Sequence, residues 1–584
     1  MGPDHVRSLS LPILAVLAIL VAGTTCVSRA AAQTSPSLPP LPTARAVAGN
    51  REAILEQRLR KLEEDNRQIL GMYKTLSKQN GDLLKRLEAP AASTPAPAAT
   101  GNVPAGREGD NEGGGLSLRA RQGAGAQGTD ARPFVPESEY RGSDKPPRRK
   151  AIVEFAEGLE FASDDGEFKL QFHDLTQAEL RVFPLQNTGL VHTGFFLPRQ
   201  RWYFTGHVTK NIEFYTVINR GYGTLDILDA FLTLRYDPRL RFRIGRMKTP
   251  YLYEYYQIAE GDLVAPERSL YTGNLAANRQ IGAMFLGELY DDRLGYALGI
   301  FNGGRRSFED TNNAKDVFLF LNAKPFRKPS DEGAAGAEGT GGRTRPNQAI
   351  GGERNAYVNE ETRLLDYLNI GGSINGGYNQ GNPQPFTFRT ANDQSTASAA
   401  GQLSPAFLQF NQNVIENGER LQWGVHLAWF YKSLFLMSEY GGGYGNYSSG
   451  RNAMSTKVPF EGYMAQASYF LTGEQITRRV NIVRPLHDFR IRKGKITGSG
   501  AVEVYARYSY LNLGKDVFAA GLADPNLWSN SASTIDLGLN WYLNFYTKIY
   551  LDWQHSEFGR PVTTRPGGWE RAADLFWLRF QLFF

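Results

Sequence analysis

Five arginines recur on one face of alternating segments in the middle of the chain: Arg199, Arg201, Arg235, Arg241 and Arg243. Lys248 follows at the end of the last of these segments. A guanidinium group carries a planar fork of donors that suits phosphate and other oxyanions. In a narrow aqueous passage with low-dielectric walls, fixed positive charges lower the barrier to an anion. The candidate chemistry of this cluster is therefore the electrostatic selection of anions.

Acidic side chains in the same stretch leave a second interpretation open. Five carboxylates lie in the neighbourhood: Asp229, Glu254, Glu260, Asp262 and Glu267. They could cancel the positive charge, or the last four could pair with the arginines and pin residues 250–278 to them. An ion-binding role and a loop-holding role of the basic cluster are therefore both compatible with the sequence.

The sequence shows no arrangement typical of catalysis, of a metal site or of a bound cofactor. His173, His207 and His426 are scattered without the spacing of metal ligands, and the single cysteine is Cys26. The glycine run at 441–443 lacks the following Lys and Ser or Thr of a phosphate loop. We therefore predict no enzyme activity, no metal and no cofactor.

Residues 1–32 have the pattern of a secretory signal peptide. The apolar run 9–21 is shorter than the ~18 residues that a spanning helix needs, and small residues precede a predicted cleavage after Ala32. A lipoprotein signal at Cys26 is the alternative, but the residues before the cysteine fit it poorly. Residues 33–50, rich in proline and alanine, are predicted to be disordered.

Residues 51–88 carry a heptad pattern. Leucine or isoleucine recurs every seven residues from Leu55 to Leu83, and charged residues fill most of the outer positions. This narrow apolar seam predicts a self-associating coiled coil, although the seam does not give the number of chains. Residues 89–150 contain almost no large apolar side chains, so we predict a disordered tether.

The net charge of +6 belongs to this N-terminal part of the chain. Residues 1–150 contain 21 Lys+Arg and 15 Asp+Glu, and subtraction from the totals of 65 and 59 leaves 44 of each sign in residues 151–584. Any anion preference of the C-terminal part must therefore come from where its charges lie.

From about residue 166 the chain alternates apolar and polar residues with the period of two of a β-strand. In the last ten residues one parity is entirely apolar, and the other carries Arg579 and Gln581. Sixteen segments share this pattern, near 168–183, 195–209, 212–220, 227–236, 240–249, 279–290, 294–303, 316–326, 367–378, 421–431, 434–444, 460–472, 501–513, 532–543, 547–558 and 573–584. The predicted fold is all-β, a sixteen-stranded antiparallel transmembrane barrel within 151–584, preceded by the α-helical coiled coil.

The connections between these segments alternate in length. Short ones lie at 210–211, 237–239, 291–293, 432–433 and 544–545, and long ones at 184–194, 250–278, 304–315, 379–420, 445–459, 514–531 and 559–572. Outer-membrane barrels have short periplasmic turns and longer outer loops. We therefore predict an outer-membrane location with the coiled coil in the periplasm, while a soluble β-sandwich is the weaker alternative.

One further connection, residues 478–495, is rich in arginine and lysine. Nucleic acid is implausible in the compartment that the other features predict. Anionic envelope polymers or lipid head groups are the expected contacts of this segment.

Residues 166–584 resemble the phosphate-selective porins O and P. The resemblance rests on DAF at 229–231, RIGRMKTP at 243–250, RQIGAM at 279–284, GIFNG at 299–303, ASYFLTGE at 467–474, ARYS at 506–509, LGLNWYL at 537–543 and the strand ending at Phe584. The family implies a sixteen-stranded trimeric porin whose third loop, here 250–278, folds inward to narrow the pore. By this resemblance Arg199 and Arg201 lie in a paired-arginine region, and Lys248 is the lysine of the strand leading into the loop. The coiled coil with its tether and the insertion 327–366 depart from the family pattern.

These observations predict a passive diffusion channel that prefers anions, with phosphate as one candidate. The expected partners are outer-membrane lipid, inorganic anions such as phosphate, further copies of the chain in a trimer, the barrel assembly machinery through the Phe584 strand, and the cell wall through the N-terminal region, with no nucleic acid. The alternative is a structural envelope protein in which the coiled coil tethers the barrel to the cell wall. A trimeric adhesin is disfavoured because sixteen strands occur in one chain.

Overall fold

The computed structural model describes residues 150–584, apart from 156–157, 185–190, 192, 305–307, 309, 311, 328–361, 392–403, 480–482 and 566–567. These residues belong to the second of two compact units, Gly142–Phe584. The predicted signal peptide 1–32, the segment 33–50, the coiled coil 51–88 and nearly all of the tether 89–150 lie outside the described residues. The same holds for most of the insertion 327–366.

Sixteen antiparallel strands close into a barrel, which confirms this part of the predicted fold. In chain order they are β3 (Lys169–Val182), β4 (Gly194–Thr209), β5 (Ile212–Gly221), β6 (Thr224–Asp237), β7 (Leu240–Lys248), β8 (Arg279–Leu289), β9 (Leu294–Phe301), β10 (Asp316–Ala323), β11 (Tyr367–Gly381), β14 (Ile415–Tyr431), β15 (Leu434–Ser448), β16 (Thr456–Phe470), β19 (Ala501–Leu513), β20 (Ser531–Tyr542), β21 (Thr547–Arg565) and β22 (Gly568–Phe583). Each strand pairs with its neighbour in this order, and β22 pairs with β3 to close the sheet.

The period of two in the sequence decides which side chains face the lumen. On β6, Leu232, Leu234 and Tyr236 are exposed on the outside, whereas Phe231 and Thr233, which have the opposite parity, are buried inside. Successive side chains of a strand point to opposite faces of the sheet, so one parity forms the outer surface and the other fills the barrel. The outer surface of this barrel is accordingly apolar, and most of the charged groups of the wall lie inside.

A short hairpin precedes the barrel. Strands β1 (Ala151–Phe155) and β2 (Leu159–Ser163) pair with each other, and β2 continues onto the first residues of β3. The chain end meets the same edge of β3, because Phe584 and Asp174 exchange backbone hydrogen bonds of 3.0 and 3.2 Å. Strand β2 therefore extends the barrel wall past the end of β22.

Apart from the insertion 327–366, the connections follow the predicted alternation with three exceptions. The link from β16 to β19 is long although it lies at the end of the short turns. The prediction of a long loop at 559–572 was wrong, because β21 runs to Arg565 and β22 begins at Gly568. In the added part of β21, residues 559–565, polar residues occur at both parities, so the apolar alternation is lost although the strand continues. Strands β5 and β6 are also longer than predicted and meet in a tight turn at Tyr222 and Gly223.

The smaller elements lie in the connections. Helices α1 (Tyr253–Gln257) and α2 (Leu270–Leu275), with a single 3-10 turn at Glu260–Asp262 between them, form the connection from β7 to β8. The hairpin β12 (Thr387–Arg389) and β13 (Ala406–Gln409), helix α3 (Asp516–Ala519) and the hairpin β17 (Arg490–Arg492) and β18 (Lys495–Thr497) complete the described elements. Among the described helices, none has the length and apolar character needed to cross a membrane.

Candidate functional site

The connection from β7 to β8, residues 250–278, folds into the barrel, and we call it the lumen loop. Nearly all of its residues are buried. The Leu252 amide donates to Ser373 Oγ on β11 over 3.1 Å, and Asn540 on β20 donates to the Val264 carbonyl over 2.9 Å. The lumen loop therefore reaches wall strands far from the two that it connects.

Glu260 lies at the centre of the most highly charged part of the lumen loop. Its carboxylate is 2.8 Å from the Arg201 guanidinium and 3.7 Å from Lys248 Nζ. Arg268 of the loop and Arg279 at the start of β8 lie at 3.5 and 3.6 Å. One buried carboxylate thus shares four cationic neighbours, so it is the principal electrostatic anchor of the loop.

Glu267 forms a second anchor further along the lumen loop. Its two oxygens lie 3.0 and 2.5 Å from the Arg199 guanidinium in a fork-like arrangement, and Arg579 donates to it over 2.6 Å. Arg579 also binds Glu179 and the Pro266 carbonyl. Charge-assisted and bidentate contacts of this kind are the strong hydrogen bonds of proteins.

The basic neighbours of both anchoring carboxylates favour their ionised forms. Burial by itself would raise the pKa of each group, because it disfavours the charged form. The basic groups, led by Arg201 and Lys248, nevertheless hold the pKa of Glu260 well below its usual value. Arg199 and Arg579 likewise lower the pKa of Glu267 to about 2.

Other basic wall residues bind the backbone of the lumen loop rather than its carboxylates. Arg479 donates to the Asp262 carbonyl over 2.9 Å, Lys548 donates to the Leu263 carbonyl over 2.9 Å, and Arg507 donates to the Glu267 carbonyl over 2.8 Å. A carbonyl oxygen carries a partial negative charge, so cations from β19 and β21 and from the connection before β19 fix the loop from a second side.

The predicted site residues Arg199, Arg201 and Lys248 therefore come together at the lumen loop, where each contacts a loop carboxylate. This arrangement matches the loop-holding role that the sequence left open. Arg235 lies apart from them, near the short turn after β6, and pairs with Glu213 over 2.8 Å. None of these contacts tests whether a permeating ion also binds there, so the ion-binding role of these residues stays a prediction.

Arg241 and Arg243 lie on β7 between that short turn and the lumen loop, and both are buried. Arg243 donates to Thr233 Oγ1 over 3.0 Å, and its guanidinium lies 4.3 Å from the centroid of the Phe231 ring. Its Nη2 atom has no hydrogen-bond partner among the described residues. A buried donor in this state costs free energy unless water or a ligand satisfies it.

Several residues of the site were not predicted: Arg268, Arg279, Arg479, Arg507, Lys548 and Arg579. For Arg579 the signal was present, because it occupies the polar parity of the last strand. Arg507 and Lys548 likewise occupy the polar parity of predicted strands, whereas no periodicity points to Arg268, Arg279 or Arg479. The partners of all six could not be read from the sequence, because they lie on distant strands or are backbone carbonyls. The described residues hold no group of three or more His, Cys, Asp or Glu side chains that could bind a metal ion.

The hairpin β12–β13 packs beside helix α2 of the lumen loop. Asn274 of α2 donates to the Arg389 carbonyl over 2.8 Å and accepts from the Arg389 amide over 3.1 Å. The rings of Phe388, Phe407 and Phe410 on this hairpin are buried against one another. The hairpin therefore braces the lumen loop from the end of the barrel that carries the long connections.

A comparison with protein families gives one match. The family model described as phosphate-selective porin O and P matches residues 396–565. The match confirms the predicted resemblance to this family over residues 396–565. It covers the wall from β14 to β21, whereas the strands that carry Arg199, Arg201 and Lys248 precede it in the chain.

Solved porins and channels align with most of the barrel at low sequence identity. OmpT of Vibrio cholerae, in its trimer form, aligns with a TM-score of 0.40 at 10% identity, over 71% of this chain and 99% of that one. An anion-selective porin from Comamonas acidovorans aligns with a TM-score of 0.40 at 10% identity, over 72% of this chain and 100% of its own. The outer membrane channel DcaP of Acinetobacter baumannii aligns with a TM-score of 0.41 at 8% identity, over 74% and 100%. The comparison with curated proteins gave no match.

Proposed function

We propose that this porin is a passive channel of the outer membrane that prefers anions, with phosphate among the ions it conducts. The family match, the closed barrel and its apolar outer surface support the channel. The anion preference rests on one observation, the buried Arg243 on β7 with a donor that has no partner among the described residues. A cation of this kind attracts an anion strongly where low-dielectric walls surround it.

The basic residues of β7 suggest how an anion would move. Arg241, Arg243 and Lys248 follow one another from the short-turn end of the barrel to the lumen loop. Residues two apart on a strand are separated by about 7 Å, so an anion that leaves Arg241 comes within reach of Arg243. Several weak sites in series conduct better than one strong site, because the ion must also be released.

The lumen loop supplies the selective barrier in this proposal. Glu260 and Glu267 already occupy the guanidinium groups of Arg201 and Arg199, as a bound anion would. They keep these cations from holding a permeating ion too tightly, and they fix the loop across the lumen. The lumen loop thus sets the width of the passage, and the basic residues of β7 set its preference for anions.

The proposal includes the assembly expected of the family. Three copies would form a trimer, and the segment 51–88 would self-associate in the periplasm as a coiled coil. An isolated peptide of residues 51–90 is then expected to form oligomers in cross-linking experiments. A strictly monomeric peptide would contradict the coiled coil and leave the barrel unaffected.

Replacement of Arg243 by glutamine is expected to lower the anion-to-cation permeability ratio and to weaken the block of chloride current by phosphate. The substitution removes the positive charge and retains an N–H donor on a shorter side chain. Both effects are read from single-channel currents of the full chain in planar bilayers.

Arg235→Gln is the matched control, because it removes the same charge from the same barrel face where Glu213 already neutralises it. Its permeability ratio should change less than that of Arg243→Gln. If Arg243→Gln keeps the wild-type ratio and block, Arg243 is not the anion site.

A further inference from the structure

A small basic hairpin projects from the connection between β16 and β19. Strands β17 and β18 pair through Arg490 with Thr497, Ile491 with Ile496, and Arg492 with Lys495. The turn residues Lys493 and Gly494 have φ angles of 49° and 74°, which is the left-handed pair of a two-residue hairpin turn. We call residues 490–497 the basic hairpin, and all of them are exposed.

The basic hairpin has two different faces. Ile491 and Ile496 lie side by side on one face and are 66% and 68% exposed. The other face carries Arg490, Arg492 and Lys495. Arg492 and Lys495 are directly opposite each other across the strands. Like charges in that position repel and destabilise a sheet, so an anion between them would stabilise the hairpin.

The local charge is strongly positive. Residues 486–499 contain one acidic side chain, Asp488, and four basic side chains, which are Arg490, Arg492, Lys493 and Lys495. With His487 neutral, the formal charge of this segment is +3. Asp488 pairs with Arg490 over 2.8 Å. Arg492, Lys493 and Lys495 of the basic hairpin are thus left for an anionic partner.

The base of the basic hairpin rests on the outer surface of the barrel. Phe489 packs edge-on against Trp541 with ring centroids 5.0 Å apart, and Trp541 Nε1 donates to the Ser499 carbonyl over 2.8 Å. The neighbours of Trp541 on β20, Asn540 and Tyr542, make their hydrogen bonds inside the barrel. Trp541 therefore faces outward.

The connection also lies at a defined end of the barrel. Because the strands alternate in direction, the link from β16 to β19 emerges at the same end as the short turn Lys432–Ser433. Aromatic residues on the outer surface near a barrel end mark the boundary between lipid and water. The basic hairpin is thus positioned at the head-group level of the periplasmic leaflet.

We propose that the basic hairpin binds the head groups of anionic phospholipids in the periplasmic leaflet and places Ile491 and Ile496 against their acyl chains. The inference rests on the proposed location of the barrel in the outer membrane. Arg492 and Lys495 would share one lipid phosphate, which neutralises their repulsion. The isoleucine pair on the opposite face adds apolar contact that a free anion does not offer, and clusters of basic residues at a membrane surface favour anionic lipids.

The depth of Ile491 in the membrane provides the test. The full chain with Cys26→Ser and Ile491→Cys carries one thiol, which is labelled with an environment-sensitive fluorophore and placed in lipid nanodiscs. Discs that contain phosphatidylglycerol should shift the emission to shorter wavelength and allow quenching by brominated acyl chains. Discs of phosphatidylcholine alone should give much weaker quenching. The same preparation is assayed for conductance, so failure of the channel proposal is recognised separately.

Arg492→Gln with Lys495→Gln is expected to weaken the response to phosphatidylglycerol on the order of tenfold in a lipid titration. Lys210→Gln with Arg239→Gln is the matched control, because it removes two exposed charges from turns at the same barrel end. Equal quenching in both kinds of disc would overturn the proposal. So would the same shift on addition of inorganic phosphate, or a disulfide between two copies of the Ile491→Cys chain.

Discussion

Replacement of Glu260 by glutamine is expected to raise the single-channel conductance of the reconstituted porin several-fold. The substitution leaves Arg201, Lys248, Arg268 and Arg279 around a neutral amide in a buried site. Removing one partner of a buried ion pair typically costs about 3–5 kcal/mol, because the remaining charge is uncompensated. Glu267 and the carbonyl contacts of Leu263 and Glu267 still hold the rest of the lumen loop. The part around Glu260 should therefore move away from Arg201 and widen the passage there.

Glu213→Gln is the control for this experiment, since it also removes a lumen carboxylate but one with a single cationic partner outside the lumen loop. Its conductance should stay close to that of the wild type. The double variant Arg199→Ala with Arg201→Ala should resemble Glu260→Gln, with a larger conductance and largely retained selectivity. An unchanged conductance in Glu260→Gln would mean that the carboxylate does not anchor the loop.

Replacement of Arg579 by glutamine is expected to destabilise the barrel itself. Arg579 lies on the closing strand β22, and it joins Glu179 of β3 to Glu267 and the Pro266 carbonyl of the lumen loop. Its side chain and that of Glu179 are fully buried. The loss leaves two buried carboxylates with one cation fewer each, and the expected cost is again about 3–5 kcal/mol. The seam between β22 and β3 should therefore open at a lower temperature.

The stability of the closed barrel is measured by the temperature at which the folded form disappears in electrophoresis of samples heated in detergent. Arg571→Gln provides the control, because Arg571 lies on the same strand and is exposed. Only the Arg579 variant should lose its folded form at a clearly lower temperature. Equal midpoints for both variants would show that Arg579 does not hold the seam.

The barrel could be predicted from the sequence because a membrane barrel imposes a period of two on its strands. Arg199 and Arg201 share a parity opposite Trp202, and this parity alone predicts that both side chains point into the lumen. The position of the lumen loop came from a family resemblance and not from periodicity. It contains two short helices and a 3-10 turn that leave no repeating pattern.

The pairing of charges within the barrel could not be predicted from the sequence. Arg579 and Glu267 are 312 residues apart, and their contact exists only after the barrel closes and the loop folds inward. Contacts to backbone carbonyls, such as that of Lys548 with Leu263, carry no sequence signal, because every residue has a carbonyl. The number of carboxylates in the loop suggested that pinning was feasible, but only the folded barrel pairs Glu260 with Arg201 and Glu267 with Arg199.

The reversal potential of the wild-type chain tests the proposed function most directly. The full porin is reconstituted in a planar bilayer of neutral lipid between two potassium chloride solutions of different concentration, so that membrane charge does not bias the ions. A conducting channel whose reversal potential has the sign of chloride permeation is the predicted result. Clear cation selectivity would contradict the anion preference, and absence of conductance would contradict the channel itself.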